Sequence, residues 1–259
     1  MKYFVFCHTD IMLQIGADGS YSIPDTPQPP TPVQPWTHVM DVECGHGLPT
    51  VRTYRIDAPI DSTATPQYVM CPLRASYYRL TESDYLAAGK CQELLYWDAN
   101  TRYCGVCGAP MRMHTIISKR CTQCGKEVWP QLSTAIIVLV SRGKEMLLVH
   151  AKNFRSDFYG LVAGFVETGE TLEQAVQREV SEETGLSICN IRYFASQPWP
   201  YPCGLMVGFT ADYADGELHL QREELSAGGW FTADALPRLP EPLSIARRLI
   251  DHHLSVHRN

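Results

Sequence analysis

The chain has 259 residues and a net charge of −6, with 45% hydrophobic and 19% charged residues. This composition excludes a wholly disordered protein, and the length predicts two modest domains or one large domain with a small satellite. The acidic balance argues against a protein that grips long nucleic acid through a broadly basic surface.

No apolar run reaches the roughly 20 residues that a membrane-spanning helix needs. The first seven residues also lack the long apolar core and the small-residue cleavage site of a signal peptide. We therefore expect a cytoplasmic protein with no membrane partner.

Residues 1–100 are predicted to form a β-rich N-terminal domain. The apolar and β-branched content of residues 2–13 and 51–57 is typical of strands. Six prolines crowd residues 24–35, so this stretch is predicted to be a loop or extended linker, with a partner-binding motif as the alternative. Thr81, followed by Glu82, Ser83 and Asp84, predicts the start of a helix that leads into the next segment.

Residues 101–130 are predicted to form a zinc ribbon. Two Cys-x-x-Cys pairs, separated by thirteen residues, present four thiolates at the spacing of a tetrahedral zinc site: Cys104, Cys107, Cys121 and Cys124. Four protein ligands leave no open position, so we predict one structural zinc ion per chain. A redox dithiol and unrelated buried thiols are the alternatives. The nearby Lys119, Arg120 and Lys126 suggest nucleic-acid binding only weakly, since so few charges are more typical of a solvated face.

Residues 131–259 show the pattern of an α+β domain. Two β runs at 135–140 and 146–149 predict a hairpin around Arg142-Gly143-Lys144. Further strands are predicted at 160–166, 191–196, 205–213 and 217–220, and helices at 171–184 and 243–257. This mixture favours an α+β sandwich.

The segment 164–186 carries the most specific pattern in the chain. The fixed positions of the Nudix signature are filled by Gly164, Glu170, Arg178, Glu179, Val180, Glu182, Glu183, Gly185 and Leu186. Thr171 with Gln174 predicts a capping box at the start of its helix. Glu179 and Glu183 are four residues apart and so share one helix face, with Glu182 beside them.

Three clustered carboxylates repel one another, and a hard divalent cation with oxygen ligands removes that penalty. We therefore predict catalytic Mg²⁺ or Mn²⁺ at this helix and attack of water on a phosphorus atom. Glu182 or Glu183 is the proton acceptor, and the sequence leaves both open. Arg178 is expected to orient a neighbouring glutamate. A solvated acidic helix face is the alternative interpretation.

The order of these motifs carries a family resemblance. After the ribbon and the signature comes Gln197-Pro198-Trp199-Pro200. The chain thus resembles the NADH pyrophosphatase family of Nudix hydrolases from about residue 101 onward, with a faint extension to Arg74. The resemblance implies a Nudix α/β/α sandwich, a homodimer and hydrolysis of NAD(H) to nicotinamide mononucleotide (NMN(H)) and AMP. Bacterial members also remove the NAD cap from RNA 5′ ends.

The resemblance also implies roles for individual residues. Glu179, Glu183, Glu224 and the backbone carbonyl of Ala163 would hold the catalytic metals. The implied substrate-binding residues are Arg74, Trp129, Phe165, Gln197, Pro198, Trp199, Pro200, Tyr201, Pro202, Cys203, Gly204 and Ala246. Among these, Phe165 would stack on a base and Trp129 would form an aromatic wall, the alternative being that both are core aromatics. Glu224 is alternatively a surface charge.

Two departures from the family leave rival substrates and the substrate contacts of the first domain open. One of them is the proline-rich N-terminal segment, which matches nothing expected of the family. The family pattern ends in Pro-Phe-Pro-x-Ser, whereas this chain has Tyr201 and Gly204, and Gly204 lacks the hydroxyl of the family serine. Hydrolysis of ADP-ribose or another nucleoside diphosphate derivative is therefore the alternative function. A non-catalytic zinc-ribbon regulator is a third hypothesis, and the complete glutamate set argues against it.

Overall fold

The computed structural model describes residues 1–45, 47, 49–154 and 156–257. It divides the chain into a first unit, Met1–Leu132 with Trp199–Cys203, and a second unit, Ser133–Pro198 with the chain from Gly204 onward. The strands are β1 Tyr3–Cys7, β2 Asp10–Ile15, β3 Tyr21–Ser22, β4 Met40–Val42, β5 Val51–Arg55, β6 Tyr68–Pro72, β7 Met111–Thr115, β8 Ser118–Cys121, β9 Glu127–Val128, β10 Ser133–Arg142, β11 Glu145–Ala151, β12 Val162–Phe165, β13 Ser187–Trp199, β14 Gly204–Asp215 and β15 Leu225–Phe231. The helices are α1 Leu73–Ser76, α2 Glu82–Asn100, α3 Leu172–Thr184 and α4 Ile245–Val256.

The first unit contains a six-stranded sheet around β1. The strand order is β3-β2-β1-β5-β4, and β6 pairs with β2. β1 is antiparallel to β2 and parallel to β5. All five residues of β1 are buried, as expected for a strand covered on both faces.

Helix α2 covers one face of this sheet. Its N-cap is Thr81, whose side chain accepts a hydrogen bond from the backbone N–H of Asp84 at 3.2 Å. Phe6 of β1 and Ala88 of α2 belong to the same buried cluster. The opposite face has a separate cluster that includes Tyr3. The helix predicted to begin at Thr81 is therefore confirmed.

The cysteine-rich segment forms a small sheet of its own within the first unit. Its strands lie in the order β7-β8-β9 and are antiparallel, so β7 is an edge strand. The predicted domain boundaries near residues 100 and 130 stay predictions.

The second unit is a mixed sheet with a helix on each face. The order is β13-β14-β10-β11-β15, with β12 also paired to β10. Along β10, Ile136 and Val138 pack in the cluster that contains Val176 of α3, whereas Ile137 and Leu139 pack in the cluster of α4. Successive strand residues point to opposite faces, so the alternation along β10 places one helix on each side. The Nudix-type α/β/α sandwich is confirmed.

Several local predictions hold. The hairpin β10-β11 turns at Gly143, which has φ of 62°. The proline-rich residues 24–35 form irregular chain between β3 and β4. None of the helices in the described part of the chain is long and apolar enough to span a membrane.

The strands predicted within residues 2–13 are confirmed as β1 and β2, and the chain turns between them at His8, with φ of 53°. Other predictions were wrong. Residues 217–220 form no strand: the backbone N–H of His219 instead donates to the carbonyl of Thr184 at the end of α3. β15 was missed because its centre is Gly228-Gly229, and glycine weakens the sequence signal of a strand.

Candidate active site

Helix α3 is fixed at both ends by its own sequence. The Thr171 hydroxyl accepts from the backbone N–H of Gln174, and the Gln174 side chain accepts in return from the backbone N–H of Thr171. At the other end Gly185 adopts φ of 70°, a left-handed conformation that glycine reaches without strain. The predicted capping box is confirmed, and the glutamates of the helix have a defined position.

Gly164 allows the carboxylate of Glu179 to lie against the backbone of β12. A Cβ atom at this position would overlap the Glu179 carboxylate carbon and both oxygens. Glycine at this position therefore serves close approach rather than a turn, because an added Cβ would have to displace the Glu179 carboxylate. Gly164, the first glycine of the signature, thus leaves the space that the carboxylate of Glu179 occupies.

Arg178 holds three carboxylates together. Its guanidinium donates to Glu170 through Nε at 2.5 Å and through Nη2 at 3.0 Å, and its Nη1 reaches Glu179 at 2.9 Å and Glu182 at 3.1 Å. Nη2 also donates to the carbonyl of Phe165 at 3.0 Å. The expected orienting role of Arg178 thus has a geometric basis, and it ties the helix to the preceding loop.

The acidity of these groups follows from the same contacts. The Arg178 hydrogen bonds lower the pKa of Glu170 to about 2, and they raise the pKa of Arg178 itself. Both partners therefore remain charged throughout the neutral range, so this pair is a permanent part of the site.

Glu183 lies in a different environment. Its side chain is 5% exposed, and among the residues that the structure describes no cationic side chain forms an ion pair with it. Burial, followed by the charges of Glu179, Glu224 and Glu182, raises its pKa to about 8. The pKa of Glu179 is also raised, mainly by burial. This is the environment in which a bound divalent cation replaces missing positive charge.

Glu224 reaches this patch through residues 221–224, which directly follow the segment wrongly predicted as a strand. The backbone N–H of Gln221 donates to the carbonyl of Glu183 at 2.8 Å, and that of Glu224 donates to Gln221 at 3.2 Å. The segment therefore runs along the end of α3. Within the described chain, no three of the glutamates bring an oxygen each within 4.8 Å of one another, so the carboxylates are clustered but splayed.

Two predicted site residues lie on β12. Ala163 pairs with Ile137 of β10, and Phe165 pairs with Ala135. The Phe165 ring is 66% exposed, which excludes the alternative that it is a core aromatic. A solvent-exposed ring beside the carboxylate patch is available to stack on a ligand.

Gln197 binds the start of α4. Its Nε2 donates to the carbonyl of Leu243 at 2.8 Å, and its Oε1 accepts from the backbone N–H of Ile245 at 2.7 Å. Ala246, the next helix residue, is buried. Sequence reasoning assigned Gln197 to the substrate pocket, whereas the observed contacts of its amide connect β13 to the helix that carries Ala246. Pro198, the next residue of β13, is exposed.

The Trp199–Cys203 segment belongs to the first unit. The Trp199 ring has the Arg74 guanidinium 5.1 Å from its centroid, and Pro200 packs against Gly89 of α2. Tyr201 forms a hydrogen bond of 3.0 Å between its hydroxyl and that of Tyr85. Burial and this bond raise the pKa of Tyr201. The tyrosine that departs from the family pattern therefore has a specific partner on α2.

The last predicted residues of this segment surround the turn into β14. Pro202 is exposed and follows a cis peptide bond, and Cys203 is half-buried. Gly204 begins β14 and pairs with Ser133 of β10. Trp129, in the first unit, follows β9 and is 53% exposed, so it too is not a core aromatic.

The four cysteines converge. All four Sγ atoms lie within 4.8 Å of one another, with 3.6 Å between Cys104 and Cys124 and 3.4 Å between Cys107 and Cys121. A tetrahedral zinc ion with bonds of about 2.3 Å places its sulfurs about 3.8 Å apart. Backbone N–H groups lower the pKa of Cys104 and that of Cys121, the latter to about 6. The cluster fits a zinc ion.

Two residues that position the site were not predicted from the sequence, Glu170 and Tyr85. Glu170 was only a signature position, yet it is the main partner of Arg178. Glu170 lies outside α3, directly before its N-cap Thr171, so no helical spacing indicated the pair. Tyr85 carried no signal, because its partner Tyr201 is 116 residues away.

Comparisons with known proteins agree with this geometry. Residues 129–253 match the model of the NUDIX domain, and residues 2–97 match that of the NADH pyrophosphatase-like rudimentary NUDIX domain. The fold resembles a crystal structure of a NUDIX hydrolase from Nitrosomonas europaea, with a TM-score of 0.52 and 19% identity over 61% of this chain and 92% of that one. This likeness shows the fold.

Similar proteins of known name indicate which group of Nudix hydrolases the chain belongs to. The chain is 42% identical to the NAD-capped RNA hydrolase NudC of Chromobacterium violaceum, over 70% of this chain and 69% of the relative. It is 43% identical to the protein of that name from Pectobacterium atrosepticum, over 72% and 75%. The chain therefore belongs to the Nudix hydrolases, in the family of the NADH pyrophosphatases and NAD-capped RNA hydrolases.

The raised pKa of Glu183 makes stability depend on pH. The folded protein keeps the Glu183 proton up to about pH 8, whereas the unfolded chain releases it near the ordinary value of 4.5. Because the folded state binds more protons in this window, the contribution of Glu183 to stability falls as pH rises from 4.5 to 8. We expect Glu183→Gln to gain stability relative to the wild type over this range in metal-free buffer.

Urea unfolding at several pH values measures this difference. Glu173→Gln, an exposed glutamate in the first turn of the same helix, is the control and should show no such trend. Added Mg²⁺ or Mn²⁺ should stabilise the wild type more than Glu183→Gln. A stability difference that does not change with pH would contradict the burial argument.

Proposed function

We propose that this protein hydrolyses the pyrophosphate of NAD(H) to NMN(H) and AMP, and removes the NAD cap from RNA 5′ ends. The observation that carries the proposal is the carboxylate patch of α3, where buried Glu183 lies near Glu179 and Glu224. The substrate class is supported by the relatives, which are named NAD-capped RNA hydrolases.

The same proposal includes a catalytic Mg²⁺ or Mn²⁺. Its ligands would be Glu179, Glu183, Glu224 and the carbonyl of Ala163, all hard oxygen donors of the kind these cations prefer. A bound cation supplies charge neutralisation to the phosphate oxygens and Lewis acidity to the attacking water. The fit is supported by Glu183, which is buried among like charges.

The chain's own residues would then divide the remaining work. The water oxygen bonds to phosphorus, the bond from that phosphorus to the bridging oxygen breaks, and the water proton passes to Glu182 or Glu183. Arg178 keeps Glu179 and Glu182 oriented. Of the two candidate acceptors, Glu182 has a side chain 55% exposed and is paired with Arg178, whereas Glu183 is buried and unpaired with any cation in the described chain. We therefore expect the loss of Glu183 to lower the rate of hydrolysis more than the loss of Glu182.

Several residues outside the carboxylate patch would select the substrate. The exposed Phe165 ring would stack on a base, and Arg74 on the Trp199 ring offers a guanidinium to a phosphate or ribose. Gln197 would act by placing Ala246 of α4. Pro198, Pro200, Tyr201, Pro202 and Cys203 complete the nucleotide-binding segment of this proposal.

A second candidate, ADP-ribose hydrolysis, follows from one residue. Gly204 has no side chain where the family has a serine hydroxyl, which weakens the expected selectivity for the nicotinamide side. NAD and ADP-ribose should therefore be compared in the same assay.

We predict that Glu183→Gln lowers turnover by at least about 100-fold, because it removes a charged ligand from the metal patch. The wild type is incubated with NADH, NAD, ADP-ribose and NAD-capped RNA plus Mn²⁺, and products are identified by mass spectrometry. NMN(H) and AMP are expected from both NAD forms, and 5′-monophosphate RNA from the capped RNA. Glu182→Gln should lose less than Glu183→Gln.

Glu173→Gln is the matched control for this series and should keep full activity. If neither NAD form gives mononucleotide products, the proposed substrate is wrong. Full activity of Glu183→Gln would instead show that the metal patch lies elsewhere.

The second metal of the proposal is a structural zinc ion held by Cys104, Cys107, Cys121 and Cys124. With all four positions taken by protein sulfurs, this ion would stabilise the fold of the ribbon and take no part in hydrolysis. The homodimer, in which Trp129 would form an aromatic wall, stays a prediction. The cytoplasmic location also stays a prediction.

Purified protein should contain about one zinc per chain by elemental analysis. Cys121→Ser should lose most of that zinc and unfold at lower temperature, because the ribbon's folding energy comes largely from the ion. Cys189→Ser, an exposed cysteine of β13, is the control. A zinc-free preparation that melts like the zinc-containing one would contradict the assignment.

A further inference from the structure

The first unit contains a long groove along the edge of the cysteine-rich sheet. A cleft of about 930 Å³ is walled by residues 35–38, by the C-terminal end of α2 and by β7. A smaller hollow of about 390 Å³ shares His38 and Met113 with it and continues along β7 to Ile116. We call these two adjoining hollows the ribbon groove. Two hollows that adjoin at His38 and Met113 offer room for successive units of an extended chain.

The larger cleft of the ribbon groove carries a charge opposite in sign to that of the whole protein. Four cationic side chains line the larger cleft against two carboxylates, although the chain as a whole carries −6. The cationic residues are Arg55, Arg102, Arg112 and Lys119, and the acidic ones are Asp57 and Asp98. A local reversal of this kind favours an anionic ligand.

Two of the cations are already used within the protein. Lys119, predicted from the sequence to lie on a solvated face, is instead buried, and it pairs with Asp98 at 2.8 Å. Arg55 donates to the carbonyl of His8 at 2.6 Å and to Gln92 at 3.2 Å. These contacts build the wall of the groove rather than its binding groups.

The other two cations are available. Arg102 and Arg112 are both exposed, and neither guanidinium has an ion pair or hydrogen bond within the described residues. Arg102 follows α2, and Arg112 lies on β7, so they come from different walls of the same cleft. Unpaired guanidinium groups of this kind suit phosphate oxygens, which they bind through two parallel N–H groups.

Two aromatic rings accompany these arginines. Trp36 is 73% exposed and Tyr103 is 65% exposed. The indole N–H of Trp36 donates to Asp57 at 3.4 Å, which fixes the edge of the ring and leaves its face free. The cleft between them has an apolar floor that includes Leu95 and Met111. Exposed ring faces beside free guanidinium groups are what an unpaired nucleobase and its phosphate require.

We propose that the ribbon groove binds the single-stranded RNA that follows the NAD cap. Arg102 and Arg112 would bind backbone phosphates, and Trp36 and Tyr103 would stack on bases. The assignment rests on the proposed function, because it names the part of a capped-RNA substrate that lies beyond the dinucleotide. An acidic peptide would match the charges but would have no use for the two ring faces, and duplex RNA keeps its bases stacked inside the helix.

Direct binding tests the groove without catalysis. Fluorescence anisotropy of a labelled, uncapped single-stranded RNA of about 16 nucleotides measures its affinity for the full-length protein. We expect the double variant Arg102→Ala/Arg112→Ala to bind about tenfold more weakly, with the slope of log K against log salt reduced by about 1.4 for two lost phosphate contacts. Trp36→Leu should also bind about tenfold more weakly, and Trp36→Phe should retain most of the affinity.

Two controls define the result. Arg192→Ala removes an exposed arginine of β13 in the second unit and should change nothing. Arg102→Lys/Arg112→Lys keeps the charge and should recover part of the affinity. Each variant should retain the zinc content and melting temperature of the wild type, since all the substituted side chains are exposed.

Activity assays then separate this inference from the proposed function. Arg102→Ala/Arg112→Ala should raise KM for NAD-capped RNA about tenfold while leaving KM and kcat for free NAD unchanged. If the wild type does not hydrolyse NAD or capped RNA, the proposed function fails, whereas the binding assay still tests the groove. Unchanged RNA binding by the arginine and tryptophan variants would overturn the groove assignment. Equal weakening of polyglutamate and RNA binding in the arginine variants, with no effect of Trp36→Leu, would overturn it as well.

Discussion

The mutual repulsion of the carboxylates around α3 is the constraint on which the rest of the site depends. Arg178 compensates three of these groups, Glu170, Glu179 and Glu182, through four hydrogen bonds. Glu183 and Glu224 are outside its reach, and burial makes the charge of Glu183 costly. A helix with this face is stable in a folded protein when a cation supplies the missing charge. The arrangement therefore explains why a hydrolase of this family combines one arginine with a divalent metal.

The surrounding fold brings these groups to one end of α3. Alternation along β10 packs α3 on one face of the sheet and α4 on the other. Gly164 allows β12 to approach Glu179, and the hydrogen bond from Gln221 to Glu183 guides Glu224 to the same end of the helix. Each of these contacts joins α3 to an element outside the helix. The positions of the catalytic groups therefore depend on α3 and its caps.

Local patterns in the sequence predicted the chemistry. The features that could not be predicted depend on contacts between residues far apart in the sequence. The α3 glutamates and the capping box depend on spacings within one or two helical turns, and the four cysteines form two Cys-x-x-Cys pairs, so the sequence alone located them. The partnership of Tyr201 with Tyr85 and the contacts of Gln197 with α4 depend on residues 46 to 116 positions apart. No periodicity encodes such contacts. The strand predicted at 217–220 failed for the same reason, because the end of α3 supplies its hydrogen-bond partners.

The ribbon groove of the first unit is also formed by residues that the sequence did not connect. Its sequence signals were a proline-rich stretch and a few scattered charges, which separately indicated only a loop and a solvated face. Folding brings Trp36, Tyr103, Arg102 and Arg112 to one cleft, so a binding surface is formed by residues that show no motif. A chain with a net negative charge can in this way bind a polyanion through one local surface.

The proposed cation site depends on the close packing of Glu179 on Gly164. Titration of Mn²⁺ into the wild type and Gly164→Ala, followed by electron paramagnetic resonance, tests it directly. We predict that the alanine weakens Mn²⁺ binding by about 10- to 100-fold, because its Cβ displaces the Glu179 carboxylate. Gly229→Ala, where an added Cβ meets ordinary contacts at 3.6 Å, should bind as the wild type does. Wild-type Mn²⁺ affinity in a folded Gly164→Ala protein would contradict the account.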